Sequence, residues 1–196
     1  MTTSTPLDRR AVVARILQDR KDLVAISSLG SATYDLAAAG DHPRNFYLWG
    51  AMGGAADIGL GLAIAQPNLP VLVLMGDGEA LMGMGAFATI AQQMPKNLSI
   101  VILDNGLYGE TGAQASHTAN TTDLAAVAAA CGILETTVIE DEASLAQIAQ
   151  RINATGEGPA VFVIRIDGAE QLRCLPSRDG VMLKARLRQE LGFESM

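Results

Sequence analysis

The chain has 196 residues, 49% of them hydrophobic, with a formal charge of −7 at pH 7 and a pI near 4.7. That length suits one domain, and the acidic balance excludes nucleic acid as an expected partner, because phosphate backbones call for clustered lysine and arginine. No apolar run approaches the roughly 20 residues of a membrane span, and Asp8, Arg9 and Arg10 interrupt any leader-like start, so a cytoplasmic protein is expected.

Thr5-Pro6 precedes a predicted helix over residues 7–18, with Asp8 in its first turn. Residues 23–27 read as a strand, 31–39 as a helix and 45–48 as a short strand. Tyr47 to Gly54 then leads into an Ala-, Gly- and Ile-rich helix over 55–65. The apolar run Val71-Leu72-Val73-Leu74-Met75 reads as a buried strand ending in Gly76-Asp77-Gly78. One amphipathic helix is expected over 79–93, broken by Pro95, followed by a second buried strand over 98–103 that ends in Asp104-Asn105-Gly106. The long glycine-bearing stretch from there to about Asn120 is a candidate lid or ordering element. A helix over 123–131, a strand over 134–139, a helix over 142–153 and a strand over 160–166 follow. Pro176-Ser177 introduces a last helix ending near Leu191, with 168–178 as a flexible lead into it. With no repeat and no internal boundary, residues 1–196 are expected to form a single domain, 168–196 being a C-terminal extension. The expected fold is α/β: a doubly wound, mainly parallel sheet of about six strands with helices on both faces.

The pairing of Asp77 with Asn105 carries the functional information. A right-handed crossover returns the second strand parallel to the first, so both residues lie at carboxyl ends of neighbouring strands, where open α/β sheets bind ligands. Two hard oxygen donors there suit Mg²⁺ holding a diphosphate, since Mg²⁺ takes few protein ligands and keeps the remaining positions for phosphate and water. Gly76 and Gly78 admit phosphate without a Cβ in the way, and the amides opening the next helix, at Glu79 and Ala80, add donors and a favourable dipole. No glycine loop is followed by a Walker-type lysine, and residues 76–83 do not fit G-x-G-x-x-G, so ATP and NAD are poor competitors.

Gly76-Asp77-Gly78, 25 residues and then Asp104-Asn105 resembles the thiamine diphosphate motif of the 2-oxo-acid decarboxylases and acetohydroxyacid synthases. The family usually ends the motif with two asparagines. Here Asp104 replaces the first, and the metal-binding second is retained. The resemblance implies thiamine diphosphate and Mg²⁺ as cofactors, with Asp77, Asn105 and the Leu107 carbonyl as metal ligands. Gly50-Ala51-Met52-Gly53 matches the stretch that holds the aminopyrimidine. Gly50 would offer a carbonyl to the exocyclic amine, and Met52 a backbone contact and a soft wedge bending the cofactor.

The stretch Leu107-Tyr108-Gly109-Glu110-Thr111-Gly112, continuing through Ser116-His117-Thr118, is similar to the β subunit of sulfopyruvate decarboxylase and the matching half of phosphonopyruvate decarboxylase. It implies that Tyr108 and Gly109 border the cofactor. It also implies a split enzyme acting on a small anionic 2-oxo acid, in a hetero-oligomer with a pyrimidine-binding α subunit that supplies the activating glutamate. Carboligation of the acetolactate-synthase type and a catalytically silent interaction subunit are the alternatives. His117 either meets an anionic substrate and moves protons or orders its loop; Glu110 either transfers protons or caps the turn at Gly109 and Gly112. His42 reads as solvated, and Cys131 and Cys174 as buried free thiols.

Overall fold

A computed structural model of the protein describes residues 6–193; Thr5 and the last three residues of the expected C-terminal extension lie outside it. Helix α1 (Arg9–Leu17) precedes β1 (Val24–Ser27), α2 (Gly30–Ala38), β2 (Asn45–Tyr47) and α3 (Ala55–Ala65). Then come β3 (Val71–Gly76), α4 (Asp77–Met82), α5 (Gly85–Gln93) and β4 (Leu98–Asp104). A two-stranded ribbon, β5 (Leu107–Tyr108) and β6 (Gln114–Ala115), leads to α6 (Leu124–Ala130) and β7 (Glu135–Ile139). Helix α7 (Leu145–Arg151), β8 (Ala160–Arg165) and α8 (Gly180–Glu190) complete the chain.

The six long strands form one wholly parallel sheet in the order β2-β1-β3-β4-β8-β7. Strands β1, β3 and β4 are buried on both faces, which is why they read as nearly continuous apolar runs, interrupted inside only at Ser99, rather than alternating ones. One apolar layer lies under α1, α2 and α7 and includes Leu36, Leu72 and Leu145; the other lies under α3, α5 and α6 and includes Leu60, Phe87 and Leu124. The doubly wound sheet of six strands with helices on both faces is therefore borne out. Because β1 sits between β2 and β3, the winding reverses between β1 and β3, and a crevice opens there at the carboxyl ends.

Three expectations need correction. The helix expected over 79–93 is two helices, because Gly83 packs on Gly53: a Cβ on Gly83 would lie 2.3 Å from the Gly53 carbonyl oxygen. The chain bends there to let backbone approach backbone. The candidate lid after Asn105 is an ordered ribbon, with the Ser116 amide bonded to the Gly106 carbonyl at 2.7 Å. The lead into the last helix is laid along the protein: Arg10 donates to the Leu172 carbonyl, Gln171 to Asp8, and the Trp49 indole to the Ser177 carbonyl at 2.6 Å. Smaller differences have local causes. Asp8 caps α1 from outside its first turn, accepting from the Ala11 amide, and Cys174 is exposed, although both thiols are free. His42 is half-buried, its Nδ1 accepting from the Arg44 amide.

Candidate active site

Strand β3 ends by delivering Asp77 into the first turn of α4, and β4 delivers Asp104 and Asn105 beside it. Asp77 is 2% exposed; its Oδ2 accepts from the Ser116 hydroxyl at 2.5 Å and lies 3.1 Å from the Thr118 hydroxyl. Burial pushes the Asp77 carboxyl above its ordinary value; the Ser116 hydrogen bond opposes this, and the Asp104 charge pushes it up again. Among the described residues no arginine, lysine or histidine pairs with Asp77.

A dehydrated carboxylate without counter-charge suits a cation, and the donor set is all oxygen, as Mg²⁺ prefers. The Asn105 side-chain oxygen accepts from the Leu107 amide at 2.9 Å in a tight turn that brings residues 105 and 107 to the same rim. An amide oxygen has a second lone pair for a metal. No cluster of three His, Cys, Asp or Glu occurs among the described residues.

The cavity beside this rim is lined by Gly30, Met52, Gly78, Glu79, Asn105 and Tyr108, among others. Gly78 is hemmed in: an added Cβ would lie 3.0 Å from the Tyr108 ring and 3.5 Å from the Met52 methyl. Leu29, which precedes α2, and Ser31 in its first turn also line the cavity. No side chain caps that helix start, so its first amides remain donors for an anion.

Residues 49–53 make an unusual turn, with positive φ at Trp49, Ala51 and Gly53. Non-glycine residues in this region store strain, and of the turn's residues Met52 lines the cavity. Glu79 braces the turn from below. Its Oε1 accepts from the Gly53 amide at 3.4 Å, while its Oε2 is buried without a hydrogen-bond partner among the described residues. Burial pushes this carboxyl up to about 7, against the restraining Ser28 hydroxyl and the amides of Gly53 and Ala55.

The sequence-predicted residues therefore fall into two groups. Met52, Gly76, Gly78, Glu79, Asn105, Leu107, Tyr108 and Glu110 line the cavity, with Gly109 on its extension towards Arg173. Gly50, Ala51, Asp77 and Ala80 are not among its lining residues: Asp77 is buried between Gly76 and Gly78, and Ala80 belongs to a core layer. His117 is exposed and outside the lining, its Nδ1 2.6 Å from the Tyr108 hydroxyl. Glu110 lies 3.8 Å from Arg173. Sequence reasoning missed Ser28, Ser31, Ser116, Thr118 and Arg165; the one available signal was the pair of hydroxyl residues flanking His117.

Residues 28–164 match the family described as thiamine pyrophosphate enzyme, C-terminal TPP binding domain. The chain is 44% identical over 126 residues to sulfopyruvate decarboxylase subunit beta of Methanothermobacter thermautotrophicus, covering 64% of this chain and 67% of that one. It is also 44% identical over 125 residues to phosphonopyruvate decarboxylase of Streptomyces hygroscopicus, covering 63% of this chain but only 31% of the longer relative. Benzoylformate decarboxylase from Polynucleobacter necessarius shares the fold, with a TM-score of 0.72 at 20% identity over 87% of this chain and 35% of that one. With its winding reversal, oxygen-donor rim and glycine cradle in the matched segment, the chain belongs to the thiamine pyrophosphate enzymes, in their C-terminal TPP binding domain family.

Proposed function

We propose that this chain is the diphosphate- and Mg²⁺-binding subunit of a split enzyme. It works with a pyrimidine-binding α subunit to convert a small anionic 2-oxo acid, sulfopyruvate- or phosphonopyruvate-like, into an aldehyde and carbon dioxide. The observation that carries the reading is the buried Asp77 carboxylate, lacking a cationic partner among the described residues, set in the chain between Gly76 and Gly78, which line a cavity together with Met52 and Tyr108. The names of the relatives, two kinds of decarboxylase and one a β subunit, support the substrate class and the need for a partner.

Bound thiamine diphosphate supplies the electron sink that lets carbon dioxide leave a 2-oxo acid. This chain's own residues bind and orient. Asp77, Asn105 and the Leu107 carbonyl hold Mg²⁺, and the amides after Gly78 and at the start of α2 take diphosphate oxygens. The Gly50 carbonyl would accept from the pyrimidine amine, and the soft Met52 side chain would pack against the cofactor's rings. Tyr108 covers Gly78 and keeps water from that side.

The test is native mass spectrometry of the protein purified gently from its own cells with Mg²⁺, followed by assay of the complex on sulfopyruvate and phosphonopyruvate. The expected result is a second polypeptide of comparable size, bound cofactor, and aldehyde release without need of an added acceptor aldehyde. A complex of this chain alone, still empty after cofactor is supplied, would overturn the proposal.

A further inference from the structure

Four polar side chains behind Asp77 form a closed network. The Ser116 hydroxyl lies 2.5 Å from Asp77 Oδ2 and 2.8 Å from the Thr118 hydroxyl. The Thr118 hydroxyl lies 2.8 Å from Asp104 Oδ1 and 3.1 Å from Asp77 Oδ2. Asp104 Oδ1 also accepts from the Gly106 amide at 3.0 Å, and Asp104 Oδ2 pairs with Arg165, its neighbour across β4 and β8. Asp77, Asp104, Ser116 and Thr118 are all buried.

Two hydroxyls hold two protons for four close oxygen–oxygen contacts: Ser116 donates to Asp77, and the single Thr118 proton is shared between Asp104 at 2.8 Å and Asp77 at 3.1 Å, tying the two carboxylates together. Both hydroxyl contacts to Asp77 fall on Oδ2, so Oδ1 is the oxygen left for a cation. The charges add in the same sense. Two carboxylates and one arginine leave a single negative charge, as an asparagine at position 104 without its arginine would.

We propose that Ser116, Thr118 and the Asp104–Arg165 pair are positioning residues for the metal, fixing Asp77 with Oδ1 presented to Mg²⁺ and cancelling the extra charge of Asp104. This rests on the metal-binding reading given above. It explains why Asp104 can stand where the related motif has asparagine: the guanidinium on the next strand compensates it.

The test is Mn²⁺ titration followed by electron paramagnetic resonance on the full chain with inorganic pyrophosphate, which needs no pyrimidine-binding partner. Thr118→Val should weaken Mn²⁺ binding about 10- to 100-fold, the usual cost of losing a group that orients a metal ligand. Thr118→Ser, which keeps the hydroxyl, should stay within about threefold. Asp104→Asn keeps the acceptor but leaves Arg165 uncompensated, so it should also weaken Mn²⁺, and adding Arg165→Gln should restore most of the loss. A purely structural role predicts that the double variant is worse than either single. Wild-type protein that binds no Mn²⁺ with pyrophosphate would overturn the metal site itself. Tight wild-type binding that Thr118→Val, or Asp104→Asn should the former not fold, leaves unchanged would overturn the positioning role alone.

Discussion

Replacing Glu79 by glutamine separates the charge of this side chain from its shape. The carboxyl is 4% exposed and lies near 7 rather than at its ordinary 4.5, a displacement of about 2.5 units. At 1.36 kcal/mol per unit, ionising it in the folded protein costs about 3 kcal/mol relative to the unfolded chain. The group's folded value is raised, so its stabilising contribution is complete below about pH 4.5 and is lost as pH rises to about 7. Wild-type stability should therefore fall relative to Glu79→Gln across that window, by about 3 kcal/mol in all. Asp35 and Asp77 are also raised by burial and act in the same direction, but they are present in both proteins and cancel in the difference. Urea unfolding at half-unit pH intervals from 4.5 to 8, on both proteins without metal or cofactor, measures it. Parallel stability curves, with a constant gap across the range, would refute the claim that an ionisable carboxyl is trapped beneath the 49–53 turn.

Asp77→Ala removes a dehydrated charge, so we expect a folded protein with unchanged or higher Tm but little Mg²⁺-dependent cofactor retention; unchanged cofactor occupancy by mass spectrometry would sink the assignment of that residue. Gly83→Ala forces a methyl into the Gly53 backbone, 2.3 Å from its oxygen. It should destabilise by about 1–3 kcal/mol and, with the pyrimidine held by the displaced turn as proposed, weaken thiamine diphosphate more than Mg-pyrophosphate. Equal loss for both ligands, by calorimetry, would count against that placement. Arg9→Met leaves the fully buried Asp35 with Arg10 alone; unfolding should become easier by about 3 kcal/mol, lowering Tm by about 6–12 °C in a thermal scan.

Strands such as Val71–Gly76 and Leu98–Asp104 were legible because burial on both faces leaves them almost wholly apolar, with Ser99 the one polar residue inside either run. Asp77 and Asn105 were legible because each terminates such a run. The break between α4 and α5 was not, since its cause is Gly53, thirty residues upstream, and local pattern continues through Gly83. The ribbon of β5 and β6 has two residues per strand, too few for an alternation to show. Ser116 and Thr118 reach Asp77 from 39 and 41 residues away, and Arg165 reaches Asp104 across 61. Those contacts arise when the sheet assembles, and short hydroxyl side chains carry no periodic trace of them. The departure at Asp104 was visible; its compensation by Arg165 was not.

The docking of Trp49 against the C-terminal lead has a practical side. This is the chain's single tryptophan, its indole donates to the Ser177 carbonyl, and the Arg178 guanidinium lies 4.8 Å above its ring. Its backbone begins the turn from which Met52 reaches the cavity. The protein thus carries an intrinsic optical probe at one junction: emission reports lifting of the last segment and any rearrangement of the turn, against no background from another indole. Stopped-flow mixing could time the two events separately in a chain truncated before Ser177, with no label attached.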